Sequence, residues 1–189
     1  MAFVNRKTRE LNAKIVYVGA PGAGKTQNLR TIAKRTEEKH KGEFVALGQG
    51  SGKTNYFEFI PIFIGRVRGF HMRLHLYALP GRSGYAASRR MIMKGADAVV
   101  FVADSDPAHL QDNLEWLKTL RAELGGADVP VVFQFNKRDL HNAISSEQLK
   151  GMLGVNGHPA FEAVATQGYG VLDTLKAAAR TVLDRLAEA

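Results

Sequence analysis

The chain has 189 residues, 45% hydrophobic and 23% charged, with no cysteine and a formal net charge of +8. A chain of that length and balance makes one globular domain able to bury about 70% of its unfolded surface, which excludes disorder, collagen and coiled coil as the main description. The missing cysteines exclude a disulfide framework, thiolate metal sites, a thiol nucleophile and prenyl or palmitoyl anchors.

The positive charge favours an anionic partner without choosing among nucleotide, nucleic acid and acidic protein. Residues 1–13 read as a short basic extension of a domain spanning 1–189, with no apolar signal core and Ala2 where myristoylation needs glycine. The longest apolar run, Ala98–Ala103, is far too short to span a membrane. The expectation is a cytoplasmic chain.

Ile15-Val16-Tyr17-Val18 is a short apolar run stopped by Gly19, the pattern of a buried parallel strand. Thr26–Glu38 carries Leu29, Ile32 and Ala33 at helical spacing, and residues 39–54 form a long loop without a period. Tyr56–Ile64 and Met72–Leu79 read as an antiparallel pair joined through Gly65 and Gly69, with Leu74, Leu76 and Ala78 on one face and Arg73, His75 and Tyr77 on the other. Ala98–Ala103 is a core strand. Leu110, Leu114, Leu117 and Leu124 line a helix opened by Asp106-Pro107 and closed by Gly125-Gly126. A strand over Val131–Phe135, a helix over Ile144–Leu153, a strand over Phe161–Ala165 and a helix with Val171, Leu175, Ala178, Val182 and Leu186 on one stripe complete the order. Alternation of this kind predicts a mostly parallel sheet covered on both faces, with ligands at the carboxyl ends of its strands.

Gly19-Ala20-Pro21-Gly22-Ala23-Gly24-Lys25-Thr26 is a full G-x4-G-K-[ST] match. Its glycines let the backbone curl so that N–H groups face a phosphate chain at a helix N-terminus. Gly19, Ala20, Gly22, Ala23, Gly24, Lys25, Thr26 and Gln27 form the expected cradle; Lys25 would reach the terminal phosphates and Thr26 would ligate Mg²⁺. A second Gly-Lys-Thr, in Gly48-Gln49-Gly50-Ser51-Gly52-Lys53-Thr54, lacks the first glycine and precedes a strand pattern, so it reads as a loop over the nucleotide.

Asn136-Lys137-Arg138-Asp139 follows a core strand. A carboxylate at Asp139 can accept from both guanine N1–H and N2–H₂, whereas adenine would leave it unpaired. Asn136 could bond the base or tie this loop to the phosphate loop, and the Lys137 stem could cover one base face. A backbone N–H of Val164-Ala165-Thr166 is placed to donate to guanine O6. Thr54 is placed to coordinate Mg²⁺ and sense a γ-phosphate, and the Gly81 N–H after Pro80 is the second γ-phosphate donor. Losing that phosphate would free both loops, giving a switch.

The order Gly19–Thr26, Thr54, Pro80-Gly81, Asn136–Asp139, Val164–Thr166 resembles the small Ras-like GTPases over nearly the whole chain. Within that group the chain is similar to the bacterial MglA family in stretches such as Phe70-His71-Met72-Arg73-Leu74-His75-Leu76-Tyr77 and Val100-Phe101-Val102-Ala103-Asp104-Ser105. The resemblance implies an α/β Ras-like P-loop fold: a mostly parallel six-stranded sheet with one antiparallel strand and helices on both faces. It also implies a polarity and gliding-motility switch binding GTP or GDP with Mg²⁺, a Roadblock/LC7-type homodimer that stimulates hydrolysis, further effectors, and recruitment to the cell pole or inner membrane surface through partners.

Two departures bear on activity. Ala78 stands where Ras-like proteins carry the aspartate of D-x-x-G, as in MglA-like chains; Lys53 and Arg82 stand where that family has an arginine finger and a water-orienting glutamine. Lysine lacks the planar fork and arginine cannot hold water as an amide does, a loss on the order of 10³-fold in rate. Lys25, Lys53, Thr54 and Arg82, the last as a substitute finger, are the expected catalytic set, acting slowly. A hydrolysis-deficient scaffold, a P-loop small-molecule kinase and a nucleic-acid-associated GTPase are the alternatives, the last disfavoured because no basic domain is appended. His71 and His75 share a strand face with no third metal ligand spaced for them. Arg82, Arg89, Arg90 and Lys94, and likewise Lys34, Arg35, Lys39 and Lys41, read as solvated basic bands or docking surfaces for an acidic partner or anionic lipid.

Overall fold

In the computed structural model, which describes residues 3–5, 7–47, 57–67, 69–81 and 86–188, eight strands form one sheet. The elements in chain order are β1 (Phe3–Asn5), β2 (Glu10–Val18), α1 (Lys25–Arg35), β3 (Val45–Leu47), β4 (Phe57–Val67), β5 (Phe70–Ala78), α2 (Ala86–Met93), β6 (Ala98–Asp104), α3 (Leu110–Leu124), β7 (Val131–Asn136), α4 (Ser146–Leu153), β8 (Ala160–Glu162) and α5 (Val171–Glu188). The sheet runs β3-β4-β5-β2-β6-β7-β8, with β1 beside the start of β2. β2 pairs in parallel with β5 and β6, β6 with β7, and β7 with β8; the pairs of β1 with β2, β3 with β4 and β4 with β5 are antiparallel. The six expected strands are joined by β1 and β3, three residues each and too short to carry a period.

Every residue of β6 is buried, because its alternate side chains enter two different cores. Val100 and Val102 join Ile15, Tyr17, Leu29, Ile32, Leu74, Leu76 and Val182 beneath α1 and α5. Val99, Phe101 and Ala103 join Val16, Val18, Leu117, Leu149 and Leu153 beneath α2, α3 and α4. β2 starts five residues before its apolar run: Leu11 and Ala13 face the core while Asn12 and Lys14 stay half-exposed.

β4 runs through Gly65, where the pairing with β5 shifts register between Phe63 and Gly65, and the hairpin turns nearer Gly69. Local signals set the helix ends. The Asp106 side chain accepts from Ala108 N ahead of α3, and Gly125 closes that helix in the left-handed conformation. Ser145 and Gln148 form a capping box that starts α4 two residues later than the apolar pattern suggests. Because β2, β5, β6, β7 and β8 are mutually parallel, the segments that follow them meet at one edge of the sheet.

Candidate functional site

At the end of β2 the chain turns at Gly19, which has φ +140°; a Cβ there would lie 2.2 Å from the Val102 carbonyl oxygen of β6. Gly24 caps α1 at φ +104°, and a Cβ at that position would lie 2.2 Å from Asn136 Nδ2. Only a residue without a side chain lets the loop lie this close to both strands. α1 begins with no side-chain cap and no acidic residue in its first turn. Its first amide groups and the positive end of its dipole are therefore left for an external anion.

Lys25 lies at the same place, 7% exposed. Its ammonium donates to the carbonyls of Gly19 at 2.8 Å and Ala20 at 2.7 Å. Burial lowers its pKa to about 8, partly opposed by the charge of Glu58. Gly22, Gly24, Lys25, Thr26 and Gln27 line a cavity of about 200 Å³.

A second cavity, about 270 Å³, is lined by Gly22, Gly24 and Gln27 together with Asn136, Lys137, Asp139, Leu140, Val164, Ala165 and Thr166. The three shared residues make the two one cleft. Asn136 is 3% exposed; its Nδ2 donates to Ala23 O at 2.8 Å and its Oδ1 accepts from Ala165 N at 2.9 Å. Of the two roles open to it in the sequence, this geometry is the tie between loops. Lys137 adopts φ +63° and its ammonium lies 2.5 Å from the buried Asp104 carboxylate, which fixes its stem along the cleft. Asp139 is exposed at the cavity wall. Pro80-Gly81 abuts the phosphate loop so closely that a Cβ on Gly81 would lie 2.4 Å from Pro21 N. Lys53, Thr54 and Arg82 lie outside the described residues.

The structure adds one residue that the sequence reading passed over. Glu58 pairs across the β4–β5 ladder with Ala78, the position that lacks the expected aspartate. Its carboxylate lies within the field of Lys25, with Oε1 3.8 Å from Arg30 Nη2 and Oε2 buried without a hydrogen-bond partner. A signal was present, since Glu58 alternates in phase with the inward Ile60 and Ile62 and so puts a carboxylate on a core face.

The basic bands are corrected in part: Lys34, Lys39, Arg90 and Lys94 are exposed as expected and Arg82 lies outside the described residues, while Arg89, Lys41 and Arg35 are engaged within the fold. Arg89 is 5% exposed, with its Nε 3.0 Å from Glu123 and its guanidinium 4.9 Å from the centre of the Trp116 ring. It joins α2 to α3 and offers no solvated face. Lys41 donates to Ala33 O at 2.7 Å and pairs with Glu38 at 2.8 Å, while Arg35 is spent on two loop carbonyls. Lys41 and Arg35 look free in the sequence; here a helix-end carbonyl and two loop carbonyls take them up. His71 accepts from Arg66 Nε at 3.3 Å and His75 lies 3.0 Å from Asn12 Oδ1. No three His, Cys, Asp or Glu among the described residues could hold a metal, and no helix among them is long and apolar enough to cross a membrane.

Comparison with known proteins matches the ADP-ribosylation factor (Arf) family over residues 1–182. The mutual gliding-motility protein MglA of Myxococcus xanthus (strain DK1622) is 45% identical over 191 residues, covering 98% of each chain.

Proposed function

The chain belongs to the Arf family of small Ras-like GTPases, and from that premise we propose that its cleft holds the guanine base against Asp139 and the phosphates in the Gly19–Gln27 loop, serving a gliding-motility or polarity system. Proteins of this family bind guanine nucleotides and hydrolyse GTP, and the chain is a GTP-binding switch of that kind. The observation that carries the residue assignment is the double tie of Asn136 to Ala23 and Ala165. It sets the phosphate cradle, the Asp139 carboxylate and the Val164–Thr166 amides as walls of one cleft.

The residues fit a magnesium ion. Thr26 stands in the first turn of α1, and Glu58, within the field of the neighbouring Lys25, has a buried carboxylate oxygen without a hydrogen-bond partner; these two, with Thr54, would hold it. When bound, Mg²⁺ draws negative charge from the phosphate oxygens. Lys25 exchanges its two carbonyl acceptors for phosphate oxygens, and the α1 amides bind the same anion. The Gly81 N–H, held against Pro21, donates to the γ-phosphate. Lys53 and Arg82 stand where MglA-like chains carry an arginine and a glutamine, so hydrolysis is slow and a Roadblock/LC7-type homodimer stimulates it. Recruitment to a pole or membrane surface goes through partners.

Fluorescent GDP and ADP analogues titrated against the wild-type chain and Asp139→Ala test the base assignment. The wild type is expected to prefer GDP by about 10³-fold, because a bound guanine would cover Asp139 and pair with it whereas adenine would cover it unpaired. Asp139→Ala is expected to lose most of that preference. Equal affinity of the wild type for the two purines, or unchanged discrimination in the variant, would contradict it.

A further inference from the structure

α1 reaches from the phosphate loop to the far side of the purine cavity. One turn apart on the same face of it lie Thr31 and Arg35. Thr31 Oγ1 donates to Ala165 O at 2.6 Å and accepts from Gln27 Nε2 at 3.2 Å. Arg35 Nη2 donates to Gln167 O at 2.7 Å and Nη1 to Gly168 O at 3.0 Å. The turn they grip is closed on itself, with Gln167 N and Gly168 N both donating to Val164 O at 3.0 and 2.8 Å, and Val164 N donating to Tyr169 O at 3.1 Å. Gly168 stands at φ +78°, and a Cβ there would lie 2.2 Å from Arg35 Cζ. The guanidinium fork therefore occupies the space that a side chain at 168 would need.

We infer that Arg35, together with Thr31, is a positioning residue that latches the Val164–Gly168 turn onto α1 and so sets how long a guanine nucleotide stays bound. The inference rests on the proposed reading of the cleft. Val164, Ala165 and Thr166 form one wall of the purine cavity; Thr31 holds the Ala165 carbonyl within that wall, and Arg35 holds the carbonyls of Gln167 and Gly168, which follow it in the same turn. Ala165 is gripped from both directions, its carbonyl by Thr31 and its N–H by Asn136. The Val164 and Ala165 N–H groups are taken by Tyr169 O and Asn136 Oδ1, so the fixed turn serves a bound base by holding the shape of this wall and the aim of the Thr166 N–H; a wall released from α1 must be ordered again each time. Arginine suits the task because one planar group reaches two successive carbonyls. Lysine can reach one of them as a point charge.

The test is the release rate of a fluorescent GDP analogue from the full chain, chased with excess unlabelled GDP. Arg35→Ala is expected to release it about tenfold faster or more, since losing a charge-assisted pair exceeds the free energy of one decade. Arg35→Lys is expected to fall between Arg35→Ala and the wild type. Thr31→Val, which keeps shape and loses the hydroxyl, is expected to release several-fold faster. Association rates should change by less than about threefold, because the latch acts on the bound state. A merely structural role would instead lower the melting point of the nucleotide-free protein while leaving release from the loaded protein at the wild-type rate, and that result overturns the latch. Should Arg35→Ala fail to fold, Thr31→Val and Arg35→Lys decide by the same criterion. A wild-type chain that holds no guanine nucleotide overturns the proposed function and the latch with it; a wild-type chain that holds GDP, with variants releasing it at an unchanged rate, overturns the latch alone.

Discussion

Lys25 is the residue whose energetics bear most directly on the cleft. It lies buried on two carbonyls with a pKa near 8 instead of 10.5, so between those values the unfolded chain binds more protons than the folded one. Stability of the nucleotide-free protein therefore rises with pH across that window, by at most about 3 kcal/mol. The charged lysine is the costly form there, and deprotonation relieves it. Urea unfolding of wild type and Lys25→Met should show the wild type gaining on the variant from pH 8 to 10.5; a difference that stays constant contradicts the burial argument. With a nucleotide bound, the phosphates favour the ammonium and the gain should vanish. Glu58 makes the complementary case. Glu58→Gln removes the charge that faces Lys25 and the proposed metal but keeps the shape. It should raise the Mg²⁺ concentration needed to slow GDP release by about ten- to a hundred-fold; an unchanged magnesium titration would remove Glu58 from the metal's surroundings. The glycine loop and Asn136–Asp139 could be read in advance because each is a contiguous string with its own chemistry. Arg35 could not, since its meaning comes from a turn that only the folded register supplies; the phase of Glu58 with Ile60 and Ile62 showed a carboxylate on a core face, but its place opposite Ala78 and beside Lys25 comes from the fold.

At the scale of elements, the same distinction separates what local pattern fixes from what tertiary contact fixes. β6 and β7 lie within a residue of their sequence-derived limits, and α3 ends where Gly125 closes it; at its start Asp106-Pro107 opens a 3₁₀ turn over Pro107–His109, and the α-helix follows only from Leu110. β1 and β3 escape a reading based on apolar runs because they are three residues each, and the first half of β2 does so because polar residues such as Glu10 and Lys14 occupy its solvent face. What holds the elements around the cleft is a buried polar chain that hydropathy cannot display. Gln134 of β7 exchanges two hydrogen bonds with Asn28 of α1, at 2.7 and 2.9 Å, and donates to Thr174 of α5 at 3.0 Å. All three residues are fully buried. Gln134→Leu leaves the Asn28 amide without that partner, at a cost of about 1–3 kcal/mol, or roughly 2–4 °C of melting temperature per kcal/mol in a chain this long. Calorimetry of the nucleotide-free variant checks this; a melting point equal to the wild type's would mean that Asn28 finds another partner. Asn28 also bonds Gly24 O, so the same change should loosen the head of α1.

For the whole molecule, the question is which groups act on the ground state and which only on the transition state. The cleft draws on three segments widely separated in the chain, residues 19–27, 136–140 and 164–166, which meet at one edge of the sheet. In the proposed site the α1 amides and Asp139 grip a bound nucleotide before, during and after reaction alike, and uniform binding of that kind gives long occupancy without rate. Rate must come from groups that meet charge only as it develops, and in this chain those positions carry Lys53 and Arg82. Lysine there is a point charge without a fork, and arginine can stabilise charge but cannot orient the attacking water. The expected result in a single-turnover assay is GTP hydrolysis on the order of 10⁻³ s⁻¹ or slower for the chain alone. A Roadblock/LC7-type homodimer should raise that value, and Arg82→Ala should abolish most of the increase if Arg82 supplies the charge. Unassisted turnover near 1 s⁻¹ would show that a water-orienting group has been overlooked, and stimulation that survives Arg82→Ala would move the missing charge to Lys53 or to the partner.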